Sequence, residues 1–161
     1  MTIDIIRTTG EDARSVALRT AMDRETYGMY EAEFAAMDEA TLARVSTALA
    51  TNQDDLVDVV IAVEDGVDLG HAALRALAGG GFEVKKVYVV PEARGRGVSR
   101  ILMAAIEAVA REKGEQRILL QTGSKQVEAV ALYESSGYEH VPEFAPYLGL
   151  ENMVYMGKAL D

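Results

Sequence analysis

The sequence has no cysteine and no tryptophan, and it has only two histidines and three prolines among its 161 residues. Without cysteine the chain can have no disulfide bond, no thiolate nucleophile and no cysteine-ligated zinc. This composition fits a reducing compartment, and we expect a cytoplasmic protein. The two histidines, His71 and His140, are far apart in sequence and lack the spacing of metal ligands, so no metal site is predicted.

Long apolar runs are also missing. No stretch approaches the roughly 20 apolar residues that span a membrane, so no membrane partner is predicted. The first residues, MTIDIIRTTGED, do not combine a basic segment with an apolar core, so no signal peptide is predicted either. Residues 1–81 carry 15 acidic side chains against 6 basic ones, within a net charge of −10. This excess of negative charge repels nucleic acid. The acidic residues either form a solvated surface or produce a negative potential that attracts a cationic substrate such as an amine.

What is present is the composition of a globular protein, 49% hydrophobic and 26% charged. No repeat or linker divides residues 1–161, which predicts a single domain. Hydrophobic periodicity and turn residues predict alternating strands and helices. The predicted strands are 3–7, two within 56–74, 82–90, 117–123, 139–144 and 152–160, and the predicted helices are 10–25, 38–50, 98–113 and 126–136. This order predicts an α/β (α+β) fold, a mixed central sheet of six to seven strands with helices on both faces.

The most informative segment is PEARGRGVSR, residues 91–100, between a strand and a helix. Two interpretations are open: a plain turn with exposed arginines, or a cradle for a phosphate-bearing cofactor. A helix N-terminus attracts anions, and Gly95 and Gly97 let the backbone approach a ligand closely. A Walker loop is excluded because no Lys-Ser/Thr pair follows the glycines. A dinucleotide fingerprint is disfavoured because its third glycine is missing.

In context, the segment resembles the phosphate loop of the GNAT superfamily of acyl-CoA-dependent N-acyltransferases, [RQ]-x-x-G-x-[GA], after a strand ending V-x-P. The chain has VVPEARGRGVS, with Ser99 where the family usually has Gly or Ala. A second family motif, N-x-x-A-x-x-[LF]-Y-x-x-x-G-[FY], resembles QVEAVALYESSGY, with Gln126 in place of Asn. Both motifs fall within residues 82–141, which are 60 of the 161 residues.

The resemblance implies a GNAT fold in which the fourth and fifth strands splay apart and acetyl-CoA lies in the gap. The pantetheine arm would pair with the backbone of Val87, Tyr88 and Val89, and the diphosphate would bind the loop at residues 94–99. The cofactor-binding residues implied by the two motifs are Val87, Tyr88, Val89, Arg94, Gly95, Arg96, Gly97, Val98, Ser99, Gln126, Ala129 and Tyr133.

The resemblance also implies the catalytic groups. Tyr133 matches the family tyrosine that protonates the departing thiolate; the alternative is a core aromatic residue on an amphipathic helix. Glu83 opens the fourth strand, where family members often place the general base; the alternatives are a solvent-side carboxylate or His71 as the base. Arg75 and Tyr27 are candidates for the wall of the acceptor pocket.

The predicted function is transfer of an acetyl group from acetyl-CoA to a primary amine of a small molecule. Two alternatives stay open: a peptide or protein N-acetyltransferase, and a non-catalytic acyl-CoA sensor on the same fold. The chain resembles small bacterial members with LETG and FGxY segments, but here these read LQTG and FAPY, with Gln121 and Ala145 as the departures. The apolar residues 153–156 of the last strand are either core or the interface of a homodimer.

Overall fold

The computed structural model describes residues 2–161, which form seven strands and four helices. The strands are β1 (Asp4–Thr8), β2 (Leu56–Glu64), β3 (Val67–Ala76), β4 (Phe82–Val89), β5 (Arg117–Gly123), β6 (Glu139–His140) and β7 (Met153–Ala159). The helices are α1 (Ala13–Ala36), α2 (Glu39–Leu49), α3 (Val98–Glu112) and α4 (Val127–Ser135). The element order along the chain is the predicted one.

All seven strands form one sheet in the order β1-β2-β3-β4-β5-β7-β6. The β4–β5 pair is parallel and the other pairs are antiparallel. The last long strand, β7, therefore lies between β5 and β6 rather than at the edge, and Met156 within it is buried. The predicted mixed sheet is confirmed with seven strands. A homodimer through residues 153–156 stays a prediction.

Helices cover both faces of the sheet. On one face, Leu102 and Ile106 of α3 and Tyr133 of α4 pack with apolar residues of β3, β4 and β5 in the larger core cluster. On the other face, Leu18 of α1 packs on Val59 and other residues of a second, smaller cluster. Because both faces are apolar, each needs its own layer of helix to remove it from water. The predicted placement of helices on both faces is confirmed.

Two predicted boundaries were wrong. α1 runs to Ala36 rather than ending near residue 25, because residues 26–36 contain good helix formers, no proline and only one glycine, Gly28. β6 contains only Glu139 and His140 rather than residues 139–144. Pro142 has no N–H to donate to a ladder, so the chain leaves the sheet there.

In the described range 2–161, no helix is both long enough and apolar enough to cross a bilayer. Nor do three or more histidine, aspartate or glutamate side chains of that range converge in a way that could hold a metal ion.

Candidate active site

The site lies where β4 and β5 separate. The two strands pair only from Phe82↔Ile118 to Val84↔Leu120, while β4 continues alongside β3 as far as Val89. Lys86 has a positive φ of 55°, and the β3–β4 register shifts next to it. This bulge bends β4 away from β5. On the side facing the gap, residues 87–89 therefore have no strand partner. Apart from the Val89 carbonyl, which accepts from Arg94 Nε at 3.0 Å, backbone groups on that side can bind an extended ligand.

His71 stabilises the bulge. It is completely buried, with its Nδ1 2.8 Å from the carbonyl oxygen of Lys86 and its Nε2 2.8 Å from the hydroxyl of Ser15. A carbonyl can only accept, so Nδ1 carries the proton and the Ser15 hydroxyl donates to Nε2. Burial lowers the pKa of His71 to about 4, and the positive charges of Arg19 and Lys86 act in the same direction. A neutral imidazole with both nitrogens occupied inside the fold does not fit the role of base.

Two cavities open into the gap. The larger has a volume of about 410 Å³ and lies between the sheet and the residues of α1 and α2 that cover it. The smaller, about 290 Å³, runs along the outer half of β4 to the loop before α3. The cavities meet at a set of residues that line both: Met22, Thr26, Val87, Gln126, Ala129 and Tyr133.

The loop before α3 forms the outer end of the smaller cavity. Gly95 and Gly97 have φ values of 78° and 79°, which favour glycine, and a Cβ atom at either position would meet nothing within 4 Å. Gly97 is the N-cap of α3 and provides no side chain to cap the helix. The N–H groups of Val98, Ser99 and Arg100 therefore lack the intrahelical partners that later residues have. The loop thus has both the open space and the donors that an anion requires.

The three arginines of the loop already have partners. Arg94 pairs with Glu25 of α1 at 2.8 Å, and its Nε donates to the carbonyl of Val89. Arg96 pairs with Glu64 at 2.7 Å. Arg100 donates to the hydroxyl of Ser135 at 2.8 Å. Because these side chains are occupied, the backbone donors of the loop are the more available anion ligands.

α1 crosses the gap and is held there by ionic contacts. Besides the pair of Glu25 with Arg94, Asp23 pairs with Lys86 at the bulge at 2.8 Å. Near the end of β5, Glu33 pairs with Lys125, and the Tyr30 hydroxyl accepts from the Lys125 N–H at 3.0 Å. α1 therefore forms one wall at the place where the two cavities meet.

Tyr133 lies at the junction of the cavities. α4 begins at Val127, after Gln126, whose side-chain oxygen accepts from the N–H of Gly123 at 2.9 Å. Two turns later Tyr133 is 7% exposed, with its ring edge against Tyr138. Burial raises the pKa of its phenol. Within residues 2–161 its hydroxyl donates to no side chain or carbonyl, so its proton is available to a ligand.

Glu83, the residue predicted as the general base, lies inside the fold. Its side chain is fully buried and lines neither cavity. Arg75 donates to one of its carboxylate oxygens at 2.7 Å, and the Tyr147 hydroxyl donates to the other at 2.5 Å. Contact between this carboxylate and an amine in the cleft is therefore blocked by its own partners. Arg75 is buried in the same cluster and lines neither cavity, whereas Tyr27 lines the larger one.

Lys85 and Tyr147 are the functional candidates that sequence reasoning missed. Lys85 lines the larger cavity, and its Nζ is 2.9 Å from the Tyr147 hydroxyl and 3.6 Å from Glu83. Burial lowers the pKa of Lys85 to about 8. Strand alternation was a usable signal, since it places Lys85 on the same face as Glu83. Tyr147 carried no such signal, because it lies in an irregular segment 64 residues from Glu83.

The chain is similar to known proteins in both sequence and fold. The model of the acetyltransferase (GNAT) family matches residues 18–138. The IAA acetyltransferase of Azospirillum brasilense is 33% identical over 134 residues, which are 82% of this chain and 81% of that one. A Klebsiella pneumoniae structure described as an acyl-CoA N-acyltransferase is similar over 99% of both chains, with a TM-score of 0.78 and 28% identity.

A Bacillus anthracis structure described as a streptothricin acetyltransferase was solved with acetyl coenzyme A. It is similar over 65% of this chain and 62% of that one, with a TM-score of 0.57 and 24% identity. At that level of identity the likeness shows a shared fold.

Proposed function

The chain belongs to the acetyltransferase (GNAT) family, and we propose that it transfers the acetyl group of acetyl-CoA to the primary amine of a small molecule by direct attack. The observation that carries the proposal is the position of Tyr133. Its buried hydroxyl has an uncommitted proton at the junction of the two cavities. A thioester entering from one cavity and an amine entering from the other would meet beside it.

The smaller cavity is the proposed donor site. The unpaired edge of β4 at Val87, Tyr88 and Val89 supports binding of the pantetheine arm, which has amide groups that can pair with a strand. The loop at residues 94–99 supports binding of the diphosphate through its backbone N–H groups. Ser99 is accommodated because its side chain is partly exposed rather than packed into the loop. Gln126 and Ala129 would flank the reacting end.

The proposed reaction begins with loss of a proton from the acceptor ammonium. The neutral nitrogen then attacks the thioester carbonyl, a C–N bond forms, and the C–S bond breaks. Tyr133 gives its proton to the departing thiolate and is reprotonated from the nitrogen as the amide forms. The sum is one amide, one free coenzyme A thiol and one released proton. Because burial raises the pKa of Tyr133, its phenol stays protonated until the thiolate develops.

The acceptor is proposed to be a small amine rather than a protein terminus. The larger cavity holds about 410 Å³ and is walled by α1 and α2, a shape that suits a compact molecule better than an extended peptide. Asp23, Glu33 and Glu151 contribute carboxylates to its lining. Asp23 and Glu33 pair with Lys86 and Lys125, so Glu151 is the carboxylate that favours a cation there. Residues from position 22 to position 153 wall this cavity, so we treat residues 1–161 as one catalytic domain.

The test is thiol release from acetyl-CoA with a panel of small amines and short peptides. We expect release with at least one small amine. Tyr133→Phe should then lower kcat by about 10²–10⁴ with little change in the Kd for coenzyme A. Tyr155→Phe is the matched control, because that phenol contacts the Tyr147 carbonyl and lines neither cavity. Tight binding of acetyl-CoA with no release from any amine or peptide would favour the sensor alternative instead.

A further inference from the structure

We propose that Lys85 is the group that takes the proton from the acceptor ammonium, a proposal that rests on the proposed acetyl transfer. Lys85 is the buried amine in the lining of the larger cavity, on the β4 segment that borders the gap. Of the acidic groups in the same lining, Asp23 pairs with Lys86 and Glu151 is exposed to solvent. Glu33 pairs with Lys125 through one oxygen, and this contact lowers the pKa of Glu33 and makes it a weaker base.

The charge balance of the buried cluster favours an uncharged Lys85. Arg75 and Lys85 both approach the single carboxylate of Glu83, at 2.7 and 3.6 Å, and all three side chains are buried, with Lys85 alone of the three reaching the lining of the larger cavity. With both cations protonated the cluster carries one excess positive charge. An arginine does not give up its proton in a protein, so only Lys85 can relieve the imbalance. Removing that charge avoids the desolvation cost of a second buried cation.

Hydrogen bonding leaves the Lys85 nitrogen free to accept. The Tyr147 hydroxyl has one proton, which it donates to Glu83 at 2.5 Å. It therefore acts as an acceptor toward Lys85 at 2.9 Å. A neutral amine has two N–H donors and one lone pair. When one N–H is used on Tyr147, the lone pair stays available to the cavity.

The charged and titratable groups that face Lys85 set its proton affinity. Burial lowers the pKa of Lys85 to about 8; Glu83 opposes this effect, while Arg75 and Lys86 add to it. Tyr147 contacts Lys85 through both its hydroxyl and its ring face. A base with this pKa is about one-tenth uncharged at pH 7 and about half uncharged at pH 8.

This arrangement gives Glu83 a role without contact to the substrate. Through Tyr147 and Arg75 it positions Lys85 and supplies the negative charge that compensates the protonated form. After proton transfer the cluster again holds Arg75 and Lys85 as cations with one carboxylate. Lys85 then loses the extra proton to water at the cavity. Glu83 is thus a positioning residue, and Lys85 is the catalytic one.

The experiment compares the pH dependence of kcat/KM in four proteins, using the amine found by thiol release. In the wild type we expect kcat/KM to rise with pH through about 8. Lys85→Met should lower kcat/KM by about 10²–10⁴. Its kcat/KM should rise only with the ionisation of the amine itself, without the inflection near 8. Lys85→Arg should also lack this inflection, because the guanidinium stays charged. The matched control is Lys113→Met, at the far end of α3, which should keep the wild-type profile.

A second measurement separates catalysis from folding. Hydroxylamine, a nucleophile that is largely unprotonated at neutral pH, needs no base to become reactive. Its acetylation by Lys85→Met should therefore approach the wild-type rate. Equal losses with hydroxylamine and with the ammonium substrate would overturn the proposal, as would an unchanged pH profile in Lys85→Met. A wild type that releases no thiol with any amine would instead overturn the proposed function itself.

Discussion

The buried His71 predicts a specific loss of stability in mild acid. In the folded protein its pKa is lowered from 6.5 to about 4 by burial, assisted by the charges of Arg19 and Lys86. Protonation would also turn Nε2 into a donor facing Ser15, which already accepts a hydrogen bond from Arg19. The folded state therefore holds a neutral imidazole at a pH where the unfolded chain binds a proton.

The size of the effect follows from the two pKa values. Each pH unit between them changes the free energy of unfolding by about 1.4 kcal/mol. The folded pKa is the lower one, so this contribution is fully present above pH 6.5 and falls as the pH drops. Across the window from 6.5 to about 4 the loss is about 3 kcal/mol. This is a large part of the stability of an ordinary domain.

The assay is urea unfolding at several pH values between 7.5 and about 4, in the wild type and in His71→Asn. The asparagine amide keeps a donor for the Lys86 carbonyl but does not titrate in this range. The free energy of unfolding of the wild type minus that of His71→Asn should decrease by about 1.4 kcal/mol for each pH unit below 6.5. Carboxylates that titrate in both proteins cancel in this difference. His140→Asn, at an exposed position, serves as the control. Parallel curves for wild type and His71→Asn would refute a buried neutral His71.

Two further predictions concern glycines, each with a matched control. Gly97→Asp should weaken coenzyme A binding by about tenfold or more, because a carboxylate would lie at the N-terminus of α3 where the diphosphate is proposed to bind. Gly97→Asn controls for the size of the side chain. Equal affinities of the two variants in calorimetry would argue against the loop as the diphosphate site. Gly70→Ala should lower the free energy of unfolding by about 1–3 kcal/mol, because its Cβ would lie 2.6 Å from the Tyr88 carbonyl oxygen and 2.8 Å from a methyl group of Leu102. Gly28→Ala, in the exposed middle of α1, should instead raise the free energy of unfolding by about 0.5–1 kcal/mol. A decrease at Gly28 similar to that at Gly70 would contradict the steric argument.

Local features of the fold were predictable because they depend on neighbours in sequence. The turn at Asp65 and Gly66 and the αL conformation of Gly97 are set by a few adjacent residues. The position of β7 between β5 and β6 was not predictable in this way. It depends on pairing with β5, whose residues are 30 or more positions away along the chain. The second half of α1 has Tyr27, Tyr30 and Phe34 on one face, a helical spacing that could have predicted it.

The donor side of the site was predictable to a greater extent than the acceptor side. The loop at residues 94–99 and Tyr133 lie within contiguous motifs. All of these residues except Arg96, which pairs with Glu64, line the smaller cavity. The environment of Glu83 was not predictable, because alternation along a strand gives two faces without saying which is buried. Its partner Tyr147 reaches it only because Pro142 and the turns after it bring the chain back under the sheet.

The two cavities are lined by largely different parts of the chain. About half of the larger cavity is lined by residues 22–51, a continuous part of the chain that forms α1 and α2. The donor groove depends mainly on β4, the glycine loop and α4. α2 lines only the larger cavity, whereas Met22 and Thr26 of α1 line both. Mutations in α2 would therefore change the proposed acceptor site while the proposed donor groove stays intact. The two proposed sites depend on partly separate stretches of sequence.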